Sequence, residues 1–193
     1  FFFKQKTAYE ITRWLEFRRV SSDLDPREYE IHSIAAPERY ELRRPYLWRF
    51  WSKLNDSGKI TIFDRTWYGR VLVERIEGFA SAVEWQRAYD EINRFEQSVV
   101  DSQTVLVKIW LAISKDEQAA RFKAREQTPH KRFKITEEDW RNREKWDDYL
   151  NAAADMFERT NTDYAPWYVI ATDDKNTARI EVLKAILKQL KAD

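Results

Sequence analysis

The stretch TIFDRTWYGR, residues 61–70, places one carboxylate and two guanidinium groups directly after an apolar segment. Asp64 ends the apolar segment, Arg65 follows at once, and Arg70 comes five positions later. Mg²⁺ takes one or two protein carboxylates together with water and phosphate oxygens, and nucleotide-dependent phosphotransferases hold such a carboxylate at the end of a strand. Arginine presents a planar fork of N–H donors that matches phosphate oxygens. The stretch therefore predicts a magnesium–phosphate site with Asp64 as metal ligand and Arg65 and Arg70 as phosphate ligands.

A second interpretation of Asp64 is purely structural. Aspartate is a good N-cap, so its carboxylate could accept hydrogen bonds from the first turn of a helix that starts near Trp67. The position of Asp64 by itself leaves both interpretations open. Arg75 continues the series of arginines, but Glu74 and Glu77 are its neighbours, and a surface ion pair is the better prediction for it.

A second basic group lies in HKRFKITEEDWRNREKW, residues 130–146. A movable cationic loop between two helices is what a phosphate-covering lid requires, because closure excludes water from the charges. We predict a lid over residues 127–145, whose cations include Lys131, Arg132, Lys134, Arg141 and Arg143. Arg121 and Arg125 are four residues apart, hence on one face of the preceding helix, and we expect them to add to the phosphate site. The alternative is a solvated turn whose charges are offset by Glu137, Glu138, Asp139 and Glu144.

The length, net charge and cysteine content of the chain exclude several classes of protein. The chain has 193 residues, a formal net charge of +1 and no cysteine. These values fit one domain, give no bulk signal for nucleic acid or membrane, and exclude disulfides and thiolate metal sites. His32 and His130 are far apart in sequence, which argues against a histidine-based metal site. We expect a cytoplasmic protein without nucleic-acid or membrane partners.

Strand-like and helix-like segments alternate from Asp25 onwards. The pattern predicts strands at 29–36, 59–64, 104–113 and 167–174, and helices at 45–54, 67–77, 81–100, 114–127, 136–159 and 175–191. Such alternation is typical of an α/β fold, a three-layer parallel sheet covered by helices on both faces. Ligands of these sheets bind outside the carboxyl ends of the strands, where Asp64 and Asp173 are both expected.

The first 24 residues follow a different pattern. KQKTAYEI, residues 4–11, resembles the conceptual translation of an adapter oligonucleotide used in DNA sequencing, and LEFRRV and SSDL resemble its later part. We expect residues 1–24 to be non-native and the native domain to run over residues 25–193. Such segments are set aside in reasoning about the fold.

Four longer strings, beginning at Ile62, Val107, Phe133 and Glu158, carry a resemblance to a known family. They read IFDRTWYGRVLVERIEGF, VKIWLAISKDEQAARFKARE, FKITEEDWRNREKWDDY and ERTNTDYAPWYVIATDDKNTARI. Together they resemble the polyphosphate kinase type 2 family, in particular its polyphosphate:AMP phosphotransferase branch, over residues 25–192. The resemblance implies a P-loop-kinase-like fold with a helical lid. It also implies Mg²⁺ as cofactor and inorganic polyphosphate and AMP or ADP as substrates. Members of the family commonly assemble, so a homo-oligomer is one possible state of this chain.

The resemblance is matched residue by residue in two segments and fails in a third. Residues 64–70 match the Walker B pattern of the family, with Thr66 in place of serine, and residues 131–134 match its basic lid stretch. The Walker A loop, of the form Gly-x-Asp-x-x-Gly-Lys-Gly, would fall within residues 1–20, but no glycine precedes Gly58. We therefore expect the first strand and the Walker A loop to be missing, the sheet to have unpaired edges, and this truncated chain to be inactive.

Two other functions remain open at this level. One is an ATP-dependent nucleoside monophosphate kinase of the same fold class, and the other is a non-enzymatic module that binds RNA or other polyanions through its arginines and tryptophans. The sequence does not decide between AMP and ADP as acceptor, the direction of the reaction, the oligomeric state, or whether the domain is one half of a tandem protein.

Overall fold

A computed structural model of the chain describes residues 2–5, 29–55, 59–128 and 137–191. For 2–5, 137–139 and 141 only the backbone is described. Within these ranges five parallel strands form one sheet in the order β2-β3-β1-β4-β5. The strands are β1 Phe2–Gln5, β2 Tyr29–Ser33, β3 Ile60–Asp64, β4 Val107–Ala112 and β5 Trp167–Ala171. The four strands predicted from the sequence are thus confirmed. Each ends at the predicted last residue or up to three residues before it.

The helices alternate with the strands as predicted. They are α1 Trp48–Trp51, a 3₁₀ helix Trp67–Val71, α2 Val73–Ile76, α3 Ala82–Asp101, α4 Lys115–Glu126, α5 Glu137–Glu144, α6 Trp146–Thr160 and α7 Lys175–Leu190. Two predicted helices are wrong in detail because each is divided. The backbone leaves helical geometry at Leu72, between the 3₁₀ helix and α2, and α5 and α6 are separated at Lys145.

Capping signals in the sequence are reproduced by the structure. The backbone N–H of Ser81 donates to the Glu84 carboxylate at 2.8 Å at the start of α3. The Ser114 hydroxyl accepts from the backbone N–H of Glu117 at 3.2 Å at the start of α4. These bonds satisfy donors that have no partner inside their helices, which is why the two serine–glutamate pairs predict the helix starts well.

Both faces of the sheet are covered, as the three-layer prediction requires. Alternate residues of a strand point to opposite faces, and β4 follows this rule. Trp110 joins the larger buried cluster, to which α3 and α6 contribute, whereas Val107 and Ile109 join a smaller cluster with Ala178 and Val182 of α7. The 3₁₀ helix packs against α3 within the larger cluster.

The place of the first strand, which was predicted to be missing, is occupied in this structure by residues 2–5. Residues 2–5 pair in parallel with β3 on one side and with β4 on the other, so the centre of the sheet is filled. A gap between two strands presents two rows of unpaired N–H and C=O groups, and any extended segment can satisfy them through its backbone alone. The place predicted for the Walker A loop lies outside the described residues.

The structure contains no helix long and apolar enough to cross a membrane, as far as the described residues show.

Candidate phosphate site

Asp64 is the last residue of β3 and is buried at the carboxyl end of the sheet. In the register of the sheet it lies beside Ser33 of β2 and Lys4 of β1. Its carbonyl oxygen accepts a hydrogen bond from the backbone N–H of Ile34 at 3.0 Å, which fixes the strand end on the β2 side. The carboxylate is thus held on a rigid element at the edge where parallel sheets bind ligands.

The helix that follows Asp64 has a different N-cap. Thr66 is extended, with φ −135° and ψ −173°, and its hydroxyl accepts the backbone N–H of Tyr68 at 3.3 Å. The structural interpretation of Asp64 as the N-cap is therefore wrong, because Thr66 occupies that position. The threonine that replaces serine in the family pattern keeps the hydroxyl that this cap needs.

Arg65 has an unusual backbone conformation. Its φ is +66°, in the left-handed region that side chains other than glycine rarely adopt. Its side chain is exposed, and it forms no hydrogen bond or ion pair within the described part of the chain. The turn therefore directs into solvent, next to the Asp64 strand end, a guanidinium that has no ion-pair partner among the described residues.

Arg70, by contrast, is compensated by acidic neighbours. Its Nε lies 3.0 Å from the Glu74 carboxylate and its Nη1 lies 3.8 Å from that of Glu84. Its guanidinium also stacks over the Tyr46 ring, with Cζ 4.5 Å from the ring centre. Burial raises the pKa of Glu74, while the Arg70 charge opposes that shift. Arg70 would have to exchange a carboxylate for a phosphate in order to bind substrate.

Trp67 and Tyr68 anchor the 3₁₀ helix to a buried carboxylate. The indole N–H of Trp67 donates to Glu96 Oε1 at 2.9 Å, and the Tyr68 hydroxyl donates to the same oxygen at 2.6 Å. All three side chains are almost fully buried. The turn that carries Asp64, Arg65 and Arg70 is thereby fixed to the C-terminal half of α3.

Lys108 of β4 completes this buried network. Its ammonium donates to Glu96 Oε2 at 2.9 Å, to the Tyr68 hydroxyl at 3.2 Å and to the Thr160 carbonyl at 2.6 Å. The three N–H groups of the lysine therefore all have acceptors, which a buried ammonium requires. We refer to Trp67, Tyr68, Glu96, Lys108 and the Thr160 carbonyl as the buried clamp.

Burial shifts both charged groups of the clamp towards their neutral forms. Desolvation raises the pKa of Glu96, opposed by the Lys108 charge and by the hydrogen bonds it accepts. Desolvation likewise lowers the pKa of Lys108, opposed by Glu96. The hydrogen bonds to both groups stabilise the ion pair in the interior.

Sequence reasoning missed the clamp, although two signals pointed to it. Lys108 interrupts the apolar strand VKIWLA, and Glu96 shares the buried face of α3 with Ile92, Phe95 and Val99. A charge at an apolar position of a strand and another at an apolar position of a helix suggest a buried pair.

Arg121 and Arg125 of α4 contact protein groups in this structure. Arg121 pairs with Glu117 at 2.6 Å and donates to the carbonyls of Thr172 and Asp173 at 2.8 and 2.9 Å. Arg125 is buried, with Cζ 5.8 Å from the Phe122 ring centre. The bonds of Arg121 connect α4 to the end of β5.

Arg143 connects α5 to α4. Its guanidinium donates to the Lys115 carbonyl at 2.8 Å and to Gln118 Oε1 at 2.6 Å. The predicted lid cations Lys131, Arg132 and Lys134 lie outside the described residues, and the side chain of Arg141 does too. Whether they join the site stays a prediction.

Asp173 does not lie beside Asp64. The two residues share the carboxyl end of the sheet, but β3 and β5 are three strand spacings apart, or about 14 Å. The Asp173 carboxylate instead accepts the backbone N–H of Ser114 at 2.9 Å. The two carboxylates therefore do not form one binding site.

Arg75 forms the ion pair that the sequence suggested, but with a distant partner. Its Nη1 lies 2.6 Å from the Asp155 carboxylate of α6, and its guanidinium stacks over Trp85 at 4.2 Å. It contributes to the packing of the helices rather than to the phosphate site.

Asp64, the acidic residue at the end of β3, has the chemistry that a ligand of Mg²⁺ requires. Among the described residues no cluster of three or more His, Cys, Asp or Glu side chains could hold a metal ion. Mg²⁺ needs only one or two carboxylates when phosphates and waters complete its shell. Asp64 fits that requirement as a single protein ligand.

A comparison with protein families identifies the fold that carries this site. The family profile described as Polyphosphate kinase 2 (PPK2) matches residues 16–193. The chain belongs to the polyphosphate kinase 2 family. The match covers the whole of the Asp64–Arg70 turn and the buried clamp, and it confirms the family predicted from the sequence strings.

Individual relatives of this polyphosphate kinase 2 domain include two phosphotransferases. A polyphosphate:AMP phosphotransferase of Acinetobacter johnsonii is 80% identical over 176 residues, which are 91% of this chain and 37% of the relative. A polyphosphate:AMP phosphotransferase of Pseudomonas aeruginosa is 55% identical over 175 residues, 91% of this chain and 35% of the relative. The chain thus spans little more than a third of the length of these curated relatives.

A solved structure confirms the architecture of the polyphosphate kinase 2 domain. The crystal structure of polyphosphate kinase 2 from Arthrobacter aurescens TC1 superposes with a TM-score of 0.93 at 34% identity. The superposition covers 99% of this chain and 67% of the Arthrobacter aurescens chain. The α/β fold with a parallel sheet is therefore that of the family.

Proposed function

We propose that the protein to which this domain belongs transfers a terminal phosphoryl group between inorganic polyphosphate and AMP, with Mg²⁺. The observation that carries the proposal is the turn after β3, where the buried residue Asp64 is followed by Arg65, whose exposed guanidinium has no ion-pair partner among the described residues. Family membership and the names of the two relatives give the substrate class.

In the forward direction an oxygen of the AMP phosphate attacks the terminal phosphorus of polyphosphate. The new P–O bond gives ADP, the bridging P–O bond breaks, and the polyphosphate chain leaves one unit shorter. Such transfer depends on positioning and charge stabilisation rather than on a covalent intermediate. Bound Mg²⁺ would supply positive charge at the phosphate oxygens, and Asp64 is the residue that would hold it.

Arg65 and Arg70 have different tasks in this proposal. Arg65 is ready to pair with phosphate because the described structure gives it no competing carboxylate. Arg70 is held by Glu74 and Tyr46 and would bind phosphate only after its guanidinium leaves Glu74. We propose that Lys131, Arg132 and Lys134 close over the polyphosphate, with Arg141 beside them. Arg121, Arg125 and Arg143 support the frame, since their donors bind protein groups or are buried.

The chain as given has no glycine before Gly58 and so contains no glycine-rich loop ahead of β3. Backbone N–H groups of such a loop cradle the transferring phosphates, and loss of one oxyanion donor alone costs about 10²–10³ in rate. We propose that this chain by itself transfers phosphoryl groups very slowly. We also propose that residues 1–24 are not native, which the coding DNA over residues 4–24 would test by its match to adapter sequence.

The test compares this chain with a chimaera. In the chimaera, residues 1–24 are replaced by the segment of the Acinetobacter johnsonii relative that directly precedes its counterpart of Asp25. ADP formation from AMP is measured with polyphosphate and Mg²⁺. We expect activity in the chimaera and little in the chain as given. Equal activity in both would show that the replaced segment does not complete the site.

A pair of matched variants of the chimaera tests the metal ligand. Asp64→Asn should lower the rate at least about 100-fold if this carboxylate holds Mg²⁺. Asp90→Asn removes an exposed carboxylate from α3 and should leave the rate unchanged. An Asp64→Asn chimaera within a few-fold of its parent would refute the metal assignment.

The same assay separates the competing functions. Activity with ATP in place of polyphosphate would favour a nucleoside monophosphate kinase, and ATP formation from ADP would make ADP the acceptor. Strong salt-dependent binding of RNA by an inactive chimaera would favour a polyanion-binding module.

A further inference from the structure

We infer that the buried clamp is a positioning device that holds Arg65 in its left-handed conformation with the guanidinium facing solvent. The inference rests on the proposed function, because it assigns Glu96 and Lys108 the task of shaping a phosphate site that they do not touch. It concerns residues on α3 and β4 that lie outside the strand-end motif.

Arg65 lies between two fixed points. On one side Asp64 is hydrogen-bonded into the sheet, both in the ladder and through its carbonyl oxygen to Ile34. On the other side the side chains of Trp67 and Tyr68 are held by Glu96. Only Arg65 and Thr66 join these points, so the chain must turn within two residues.

Left-handed backbone is unfavourable for a residue with a Cβ, by about 1–2 kcal/mol. Such a conformation persists only where the surroundings determine it on both sides. The sheet supplies one constraint and the clamp supplies the other. Without the clamp, Arg65 could relax to an ordinary φ and the guanidinium would point elsewhere.

Apolar packing alone would hold the 3₁₀ helix less specifically. Trp67 already packs edge-on against Phe50, Phe63 and Phe95, so burial does not need a charge. The two hydrogen bonds to one carboxylate oxygen add direction, because they fix how the indole and phenol rings are rotated and how deep they sit. Lys108 in turn fixes that carboxylate through its other oxygen.

The chemistry of the clamp also explains its composition. A buried carboxylate that accepted only two neutral donors would remain an uncompensated charge, which is costly in the interior. Lys108 removes that cost, and the Thr160 carbonyl occupies the third N–H of the lysine. Glu96 and Lys108 therefore satisfy each other's charge inside the protein. At the surface, their effect is to fix the backbone geometry at Arg65.

The experiment uses the chain as given and inorganic polyphosphate of defined length as the probe. Glu96→Gln and Lys108→Met disrupt the clamp. Tyr68→Phe removes only one hydroxyl of the clamp and replaces these two variants in the experiment if they do not fold. Val182→Ala is the control, since it opens space in the opposite core cluster under α7. Hydrogen exchange of the backbone amides of residues 64–72 reports the turn, and calorimetry reports binding.

We expect clamp variants to exchange faster over residues 64–72 and to bind polyphosphate about tenfold more weakly, because misplacement by about 1 Å is costly at a preorganised site. Val182→Ala should lower the melting temperature and leave binding unchanged. A turn that loosens without loss of binding overturns the positioning role while the proposed function stands. Equal loss of binding in Val182→Ala also overturns the positioning role, because the loss would then follow from lower stability and not from the clamp. A parent chain that binds no polyphosphate overturns the positioning role, whereas the proposed function is overturned only if the chimaera forms no ADP from AMP and polyphosphate.

Discussion

The Glu96 carboxylate and the Lys108 ammonium lie 2.9 Å apart, and neither side chain is accessible to solvent. Helix α3 contributes the acid and strand β4 contributes the base, so the pair connects a helix layer to the sheet. Through Trp67 and Tyr68 it also reaches the turn that carries Asp64 and Arg65.

Breaking the buried pair of Glu96 and Lys108 should strongly destabilise the folded state. Lys108→Met leaves the Glu96 charge without a counterion and should lower the free energy of unfolding by about 3–5 kcal/mol. The double variant Glu96→Gln/Lys108→Met removes both charges and should be less destabilised than the sum of its two single variants. Urea denaturation of the four proteins measures the coupling.

The matched control for Lys108→Met is the same substitution in a surface pair. Lys184 lies 2.8 Å from Glu181, and both side chains are well exposed. Lys184→Met should cost less than about 1 kcal/mol. Equal losses at the two positions would contradict a special role for burial.

Two replacements of Arg65 should distinguish the effect of its left-handed backbone on stability from the effect of its charge on polyphosphate binding. Arg65→Gly and Arg65→Ala both remove the guanidinium and should weaken polyphosphate binding equally. Only glycine adopts a φ of +66° without a steric penalty, so the glycine variant should be more stable than the alanine variant by about 1 kcal/mol. Thermal denaturation and calorimetric titration measure the two effects.

Gln103 provides the control for that comparison, because its φ is +62°. Gln103→Gly should likewise be more stable than Gln103→Ala, but neither change should affect polyphosphate binding. A stability order reversed at Arg65 alone would mean that the left-handed turn does not form in solution.

Glu74 should make stability depend on pH in a defined direction. Burial raises the pKa of Glu74 in the folded state, so the folded chain binds this proton more tightly than the unfolded chain. The stability that the proton contributes is fully present below the unfolded pKa of about 4.5 and is lost as pH rises through the folded pKa. Relative to Glu74→Gln, the parent should therefore become less stable as pH rises from about 4 towards neutrality.

The same substitution also tests the state of Arg70. Glu74→Gln removes the carboxylate 3.0 Å from Arg70 Nε, so it should strengthen polyphosphate binding at neutral pH. The control is Glu91→Gln, which frees the more exposed Arg87 from a pair at 2.6 Å on α3. Stronger binding in both variants would indicate a general charge effect rather than release of Arg70.

The central strand can be tested through its backbone. Phe3 pairs with Phe63 on one side and with Lys108 on the other. Phe3→Pro removes a backbone N–H and should disrupt this ladder, which lowers the melting temperature. A Phe1→Pro variant, just before the strand, should have little effect. An unchanged melting temperature in Phe3→Pro would mean that residues 2–5 do not fill the sheet in solution.

Most of the local structure could be predicted from the sequence. The strands at 59–64 and 167–174 follow from apolar runs, and the starts of α3 and α4 follow from serine–glutamate caps. These signals are short-range, because each depends on residues within a few positions of one another. The division of the predicted helix at Leu72 was not predictable in this way. The segment there must turn so that Trp67 and Tyr68 reach Glu96, almost 30 residues away in sequence.

The arginines show the limit of sequence reasoning most clearly. Arg65 and Arg70 look equivalent in the motif, yet one is exposed in a left-handed turn and the other is paired with Glu74. Arg121 looks like a phosphate ligand, yet it holds carbonyls at the end of β5. Charge and spacing predict which groups are available, whereas packing decides which of them already have partners.

The sequence by itself determined the family, the parallel α/β arrangement and the position of Asp64 at a strand end. Those properties depend on periodicity, on caps and on contiguous motifs. Only the tertiary structure decided that residues 2–5 complete the sheet, that Thr66 rather than Asp64 caps the next helix, and that Glu96 meets Lys108 beneath the motif. The reason is that such contacts join distant segments, and their formation depends on how whole layers pack rather than on any local pattern.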